Sequence, residues 1–407
     1  MIEIIERSKC CGCNACVQAC PKHCITMSER DDGFMYPTVD KEKCVDCGRC
    51  EKVCQYINEC EPHKPLKVYA AQNNDEEIRR KSSSGGVFTL LAEQTIKEGG
   101  IVFGACFDDD WNIVHDSAET MEGVGRFRGS KYVQSSIGDC FQRAERQLKT
   151  GRKVLFSGTP CQIAGLKKYL RKEYANLFTV DFVCHGVPSP KVWRMYLKEE
   201  TARQCGAGKN SVLSHPISPL NVRITDIQFR NKRLGWKKYS FALTLSVSET
   251  NGANTVLLCE SISENLFMRG FLSDLYLRES CYACPAKSFK SHSDVTIGDL
   301  WGVNQIGLGE MDDDKGLSIM TVNSEQGESV VGEIKQNMLL SEISYEQALL
   351  SNPNLIHINK RNDRNIKCFE DKLSKYPLLE ALKRYFHRSL LRCVVGRMRR
   401  YADGLMS

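Results

Sequence analysis

At 407 residues, 42% hydrophobic and 26% charged, the chain is long enough for two or three domains and has an ordinary soluble composition. Its formal charge of +6 is mild for that length, and no basic platform interleaved with aromatics stands out, so no nucleic-acid partner is expected. No run approaches the ~18 apolar residues that cross a bilayer, and the acid-bearing start MIEIIERSKC does not read as a secretory signal, so a cytoplasmic protein is expected.

Twenty-one cysteines in a reducing compartment point to metal ligation rather than to disulfides. Within CCGCNACVQACP, Cys10, Cys13, Cys16 and Cys20 follow the C-x2-C-x2-C-x3-C-P run. The spacing recurs in CVDCGRCEKVC as Cys44, Cys47, Cys50 and Cys54. Two-residue gaps let a tight loop wrap three thiolates around one face of an iron–sulfur cube, while the fourth, expected at the start of a helix, reaches the other cube. One 4Fe-4S cluster is therefore assigned to Cys10, Cys13, Cys16 and Cys54, the other to Cys44, Cys47, Cys50 and Cys20. A pair of zinc knuckles is the bland alternative. Gln55 stands where the second run would carry its proline, and Cys11, Cys24 and Cys60 lie off the pattern as packing thiols. Residues 1–60 resemble a bacterial two-cluster ferredoxin domain, whose work is one-electron relay. ECEPHKPLK (59–67) reads as a linker.

From residue 67 strand and helix signals alternate. GGIVFGACF (99–107), KVLFSG (153–158) and FTVDFVC (178–184) predict strands of a partly parallel sheet. SGGVFTLLAEQTIKEGG (84–100) predicts a helix with serines at its start, and SPKVWRMYLKEETARQ (189–204) one with Ser189 as N-cap. The class is α/β, or mixed α+β. KSSSGG (81–86) sets hydroxyls and glycines at a helix N-terminus, where a phosphate or a plain capping turn fits equally. RGSKYVQS (128–135) forms a second polar turn. SGTPCQIAGL and VCHGVPSP each end a strand on a cysteine, Cys161 and Cys184, and strand-end thiols in polar turns suit ligation better than a core role. SCYACPAK (280–287) supplies Cys281 and Cys284, half of a four-ligand site.

Taken in order, SSSGGVFTLLAE, GSKYVQS, LFSGTPCQIAGL, FVCHGVPSP, FRNKRLGW and LRESCYACPAKSFKSHSDVTIGDLWG resemble the coenzyme F420 hydrogenase/dehydrogenase beta-subunit family over roughly residues 67–330. The resemblance implies a larger FAD-binding α/β domain behind the ferredoxin domain, in two parts, 67–155 and 156–330, followed by a basic helical tail, 331–407. It implies that Ser83, Ser84, Gly85 and Gly86 line the FAD site, with Gly129, Ser130 and Lys131 next and Thr159 near the isoalloxazine. A flavin suits such a chain because it exchanges both one and two electrons. Lys131 would stabilise the anionic reduced flavin, or is simply solvated; His185 would relay a proton, or makes a structural hydrogen bond. Cys161, Cys184, Cys281 and Cys284 are expected to hold a third 4Fe-4S cluster, with zinc as the alternative. Asp294 and Asp299 are expected as outer acceptors or turn formers, and Trp301 as core.

Cys106, Cys140, Cys205, Cys259, Cys368 and Cys393 are expected to be buried thiols. In YPLLEALKRYFHRSLLRCVVGRMRRY (376–401), Leu379, Leu382, Phe386 and Leu390 share a face with Lys383, Arg384, Arg388, Arg392, Arg397, Arg399 and Arg400 around them. Such a helix packs on its own domain or docks a membrane or an acidic partner. The expected function is an FAD- and 4Fe-4S-dependent oxidoreductase between a two-electron partner, reduced F420 or a similar small molecule, and a one-electron redox partner protein or ferredoxin. The alternatives are a non-catalytic ferredoxin-like electron-transfer subunit and a regulatory iron–sulfur sensor.

Overall fold

In the computed structural model of the chain, residues 1–205, 222–249 and 252–387 are described. Two cysteine runs and a hairpin make the N-terminal segment: β1 (Ile25–Glu29) pairs antiparallel with β2 (Met35–Val39), Ile25 opposite Val39. Each run closes in a short helix, Ala15–Ala19 or Arg49–Lys52, entered through a left-handed residue, Asn14 or Gly48, each at φ 66°. The helix must begin where that left-handed turn ends, so Cys16 and Cys50 already lie inside it. The fourth cysteine thus follows its helix, Cys20 being a C-cap, and does not open it as the sequence suggested.

The next strands are β3 (Lys67–Asn73), β4 (Ile101–Phe107), β5 (Ile113–Ala118), β6 (Val154–Gly158) and β7 (Leu177–Phe182). After them come β8 (Val222–Asn231), β9 (Ser240–Glu249), β10 (Gly252–Ser261), β11 (Val295–Asp299), β12 (Ser318–Val322) and β13 (Met338–Glu342). One eight-stranded sheet runs β13-β3-β12-β11-β7-β6-β4-β5. Its centre, β4-β6-β7-β11, is parallel, and β5, β12, β3 and β13 join antiparallel at the flanks. Every residue of β6 is buried, the continuous apolar run that a parallel strand covered on both faces requires.

Successive residues of a strand face opposite ways. Val102, Leu155 and Val180 therefore pack one layer with Leu90 and Leu91 of the helix Val87–Lys97. Phe103 and Phe156 pack the other with Phe141 of the helix Cys140–Lys149 and Leu166 of the helix Pro160–Leu170. Ala15 and Val53 of the N-terminal segment belong to that second layer, with Cys13 and Cys16 packed against it. Each large side chain so buried contributes about 1.5–3 kcal/mol, which fixes the cysteine-rich segment on the sheet's helices.

The helix Val87–Lys97 starts at Gly86, φ 82°, rather than at a serine cap. Glycine takes that left-handed angle without strain, and a Cβ there would come within 3.2 Å of Asn73. Residues 59–66 carry no regular element, yet His63 stacks on His292 with ring centroids 4.7 Å apart, so the linker is tied down.

Two compact units result. The first comprises Met1–Pro190, Gln228–Ser240 and Arg278–Lys360; the second comprises Lys191–Ile227, Phe241–Leu277 and Arg361–Ser407. In the second, the sheet β10-β9-β8 and the helix Pro190–Cys205 enclose an aromatic core in which Trp193 meets Phe267 at 5.1 Å. Ser189, placed by the sequence as that helix's cap, donates its hydroxyl to the Asp32 carbonyl at 2.7 Å. Residues 378–387 are helical and bury Leu379, Leu382 and Phe386 within the second unit, while Lys383 and Arg384 face solvent. Leu390, Arg388, Arg392, Arg397, Arg399, Arg400 and Cys393, and the side chain of Cys205, lie outside the described residues. Among the described residues no helix is long and apolar enough to cross a membrane.

Candidate functional site

Three thiol sets lie in the first unit. Cys10, Cys13, Cys16 and Cys54 form the inner one, against the sheet's helices. Burial holds the Cys16 thiol well above its ordinary value, and Cys13, Cys10 and Cys54 push it further the same way. Such crowding of thiolates is what a cluster's cationic iron offsets. Cys20, Cys44, Cys47 and Cys50 form the outer set around a surface pocket, with Cys47 exposed and Cys50 accepting from the Ile2 N–H at 3.4 Å. Cys24, read as a packing thiol, is buried but lies 3.4 Å from Cys20, sulfur to sulfur. Cys11 is buried as well. Cys60, Cys259 and Cys368 are only partly covered, so the buried-thiol expectation holds for Cys106 and Cys140 and not for Cys259 or Cys368.

The third set is assembled by topology. β6 and β7 are parallel neighbours, so the segments leaving them emerge at one edge of the sheet. Cys161, expected in a polar turn at the strand end, falls in the first turn of the helix Pro160–Leu170, where free N–H groups favour a thiolate. Cys184 follows β7 by two residues. The turn bearing Cys281 and Cys284 is stitched to that loop. Arg278 N–H donates to Val187 O at 3.0 Å, and Val187 N–H to Cys281 Sγ at 3.5 Å. Burial raises Cys281 well above its ordinary value, and Cys184, Cys284 and Cys161 add to the shift. Burial likewise pushes Cys184 up to about 11 and Cys284 up to about 12. The four thiols therefore sit within each other's electrostatic reach. Among the described residues no three His, Cys, Asp or Glu close around a single ion, and this holds for the eight thiols of the two runs as well.

Arg278 locks the inner set to the third. Its guanidinium is 1% exposed and donates to Cys10 O at 2.7 Å, Met35 O at 2.9 Å, Gln134 Oε1 at 2.8 Å and Cys10 Sγ at 3.6 Å. It lies 4.3 Å over the Tyr36 ring, a desolvated cation–π contact. Gln134 in turn donates to Cys11 O at 2.8 Å. Neither residue stood out in the sequence, although Arg278 lies three positions before Cys281.

The polar turns also converge. Ser130 Oγ donates to Ser83 Oγ at 2.7 Å, joining the two loops expected to line a flavin. Ser84 and Gly85 face inward instead: the Ser84 hydroxyl donates to Leu317 O, and Gly85 N–H to Ser318 Oγ. Lys232, from the FRNKRLGW stretch, donates to the carbonyls of Arg79, Ser84 and Lys315, and burial brings its pKa down to about 7. Gly129, at φ 80°, has open space where a Cβ would stand. Lys131 donates to Arg128 O at 3.0 Å and Gly129 O at 3.3 Å, and burial lowers its pKa to about 8, with Arg126 pushing the same way. The paired serines, the open face at Gly129 and the adjoining helix N-terminus fit a phosphate-bearing cofactor.

Thr159 is the N-cap of the Cys161 helix, its hydroxyl 3.3 Å from Cys161 Sγ. His185 lies 3.1 Å from Asn359 Nδ2 through Nε2. Asp294 accepts from the Thr179 N–H and hydroxyl, and Asp299 pairs with Arg230 at 2.6 Å. Both acids are structural ties. Trp301 stacks on Trp236 at 4.4 Å against the core.

Three segments of the chain match families of known proteins. Residues 9–57 match the 4Fe-4S dicluster domain, residues 68–140 the N-terminal and 151–347 the C-terminal part of the coenzyme F420 hydrogenase/dehydrogenase beta subunit. The chain is 27% identical over 196 residues to the coenzyme F420-dependent sulfite reductase of Methanocaldococcus jannaschii, across 46% of this chain and 29% of that protein. It therefore spans less than a third of that relative. Over 62 residues it is 36% identical to the ketoisovalerate oxidoreductase subunit VorC of Methanothermobacter marburgensis, 15% of this chain and 78% of the other. A chain in the F420-reducing [NiFe] hydrogenase complex from Methanosarcina barkeri aligns at 18% identity and a TM-score of 0.45, over 76% of this chain and 93% of that one. The chain belongs to the coenzyme F420 hydrogenase/dehydrogenase beta-subunit family and carries an N-terminal 4Fe-4S dicluster domain.

Proposed function

We propose that the chain is an FAD- and 4Fe-4S-dependent oxidoreductase that moves electrons between a two-electron small molecule of the F420 class and a one-electron protein partner. What supports this reading best is that Cys161, Cys184, Cys281 and Cys284 lie within electrostatic reach of one another, Cys161 also being within reach of Cys13. Cys10, Cys13, Cys16 and Cys54 would hold one cluster, Cys20, Cys44, Cys47 and Cys50 a second, and the four core thiols a third. Ser83, Ser130 and Gly129 would hold the flavin's phosphates, with Lys131 supplying positive charge. Bound FAD would supply two-electron exchange with the small molecule.

The chain's own residues prepare these sites. Arg278 keeps the inner and third sets in register and puts a buried cation beside Cys10, which favours the more negative, reduced state of whatever Cys10 ligates. Val187 N–H orients Cys281 in the same way that second-sphere donors orient metal ligands. Exposure of Cys47 leaves the outer set open to a protein partner.

Anaerobic purification with iron and flavin analysis tests the reading: three cubes predict about twelve irons, together with one FAD, per chain. Eight irons and no flavin would overturn it. A dedicated electron-transfer subunit is favoured instead if the loaded protein fails to oxidise reduced F420, NADH or NADPH with a dye acceptor.

A further inference from the structure

Gln55 stands where the second cysteine run would carry a proline equivalent to Pro21 of the first, and its side chain is 3% exposed. The Nε2 group donates to Cys161 O at 2.7 Å and to Cys11 Sγ at 3.1 Å. A carbonyl can only accept, so Cys161 O fixes which end of the amide faces it. Gln55 Oε1 has no hydrogen-bond partner although it is buried, an arrangement retained at a cost unless the amide end has work there. Cys11, which lies in the first run between Cys10 and Cys13 of the inner set, thus shares the Gln55 amide with the carbonyl of Cys161, a residue of the third set. Its carbonyl is held by Gln134 and its position by Gln55. Gly165 permits the approach: a Cβ there would meet Cys13 Sγ at 3.0 Å.

We infer that Gln55 and Cys11 are positioning residues that join the inner thiol set to the third, Gln55 also tuning the potential of the inner group. The inference rests on the three-cluster reading above. Between the two sets the exchange is of one electron. The group ligated by one set is oxidised as the other is reduced, no bond is made or broken, and the electron originates from the reduced two-electron partner, or from dithionite in the test. The Gln55 amide, bonded to Cys161 O and to Cys11 Sγ, holds the two sides of that gap together, and its donation to Cys11, beside Cys10 and Cys13, stabilises extra negative charge on the inner side.

The test uses the full chain, loaded anaerobically, as Gln55→Met, Cys11→Ala and Cys11→Ser, with iron counted in each. Redox-titrated EPR of Gln55→Met should show the inner group's potential falling by about 59 mV, the one-electron equivalent of a tenfold change, with the outer group unmoved. Rapid reduction of Cys11→Ala by dithionite should show electron equilibration between the inner and third groups slowed by about fivefold to tenfold, the equivalent of one lost hydrogen bond. Cys11→Ser, which keeps an acceptor for the Gln55 amide, should restore most of it. Full iron with unchanged potentials and rates in Gln55→Met and Cys11→Ala overturns the inference and leaves the three clusters standing. Wild-type protein holding eight irons overturns the three-cluster reading instead. If Gln55→Met loses iron, the Cys11 pair decides alone, and equal rates in Ala and Ser count against the junction.

Discussion

In the dicluster segment eight thiols come from two short runs, 10–20 and 44–54, whereas in the α/β core four come from three places between 161 and 284. Local turns arrange the first group: left-handed Asn14 and Gly48 set the helices on which Cys16 and Cys50 sit. Long-range pairing arranges the second: β6 and β7 lie side by side in the sheet, and Arg278 and Val187 fasten the Cys281 turn to the Cys184 loop. The contrast extends to surroundings. The repeated runs have the same cysteine spacing, yet one opens to solvent at Cys47 and the other is closed over by Arg278, Gln134 and Gln55. A motif specifies ligands; the fold around it specifies what those ligands face.

Removing one core thiol tests that division, and the three-cluster proposal with it, most strongly. Cys281→Ser should lower the iron content from about twelve to about eight per chain, the loss of one cube, with the EPR signals of the dicluster segment retained. If a thiol is removed from the core and the dicluster signals vanish as well, the two regions are not independent in assembly and the contrast fails.

How much of this was legible follows the same division. The eight spaced cysteines could be read directly, because the first three of each run sit in one short loop set by local turns and the run's repetition points to the exchange of the fourth. The strands 101–107, 154–158 and 177–182 were legible from continuous apolar runs. Cys161 and Cys184 were legible as candidates, but their meeting with Cys281 depends on which strands are neighbours, which no local pattern encodes. Arg278, Gln134, Cys11 and Gly165 act only through contacts between distant segments, so composition and spacing were silent about them. Gln55 did leave a signal, a broken motif, whose meaning required its partners. Ser84 and Gly85 show a further side: glycine and serine at a helix start fitted a phosphate or a plain capping turn equally, and only their contacts show the Ser84 hydroxyl on Leu317 O and the Gly85 N–H on Ser318.

Acid should separate the regions next. His115 on β5 is buried, its Nε2–H donating to Ser157 O at 3.0 Å while Nδ1 has no partner. Burial lowers its pKa from 6.5 to about 4. Between those values the unfolded chain binds a proton that the folded chain refuses, so stability rises with pH there and is lost as pH falls from 6.5 toward 4. The loss from this group approaches about 3 kcal/mol at its limit. His115→Gln, which keeps a donor but does not titrate, should flatten that part of the profile of unfolding midpoint against pH for the core. An unchanged slope in the variant would place the acid sensitivity elsewhere.

The smallest effect is the most local, at the seam where the two regions touch. Gly165 lies inside the helix Pro160–Leu170, where alanine ordinarily stabilises by about 1 kcal/mol. Here an added Cβ would meet Cys13 Cβ at 2.8 Å and Sγ at 3.0 Å, contacts so close that something must shift. Overpacking of that kind costs about 1–3 kcal/mol, so the helical gain is outweighed and Gly165→Ala should destabilise by about 1 kcal/mol net. The sign is the diagnostic. The displaced atoms belong to an inner-set thiol, so the EPR line shape of the inner group should change while the outer group, remote from the helix, keeps its own. A variant stabilised as an ordinary helical Gly→Ala exchange would mean that the helix does not press on Cys13, and that the seam between dicluster segment and core is looser than these distances require.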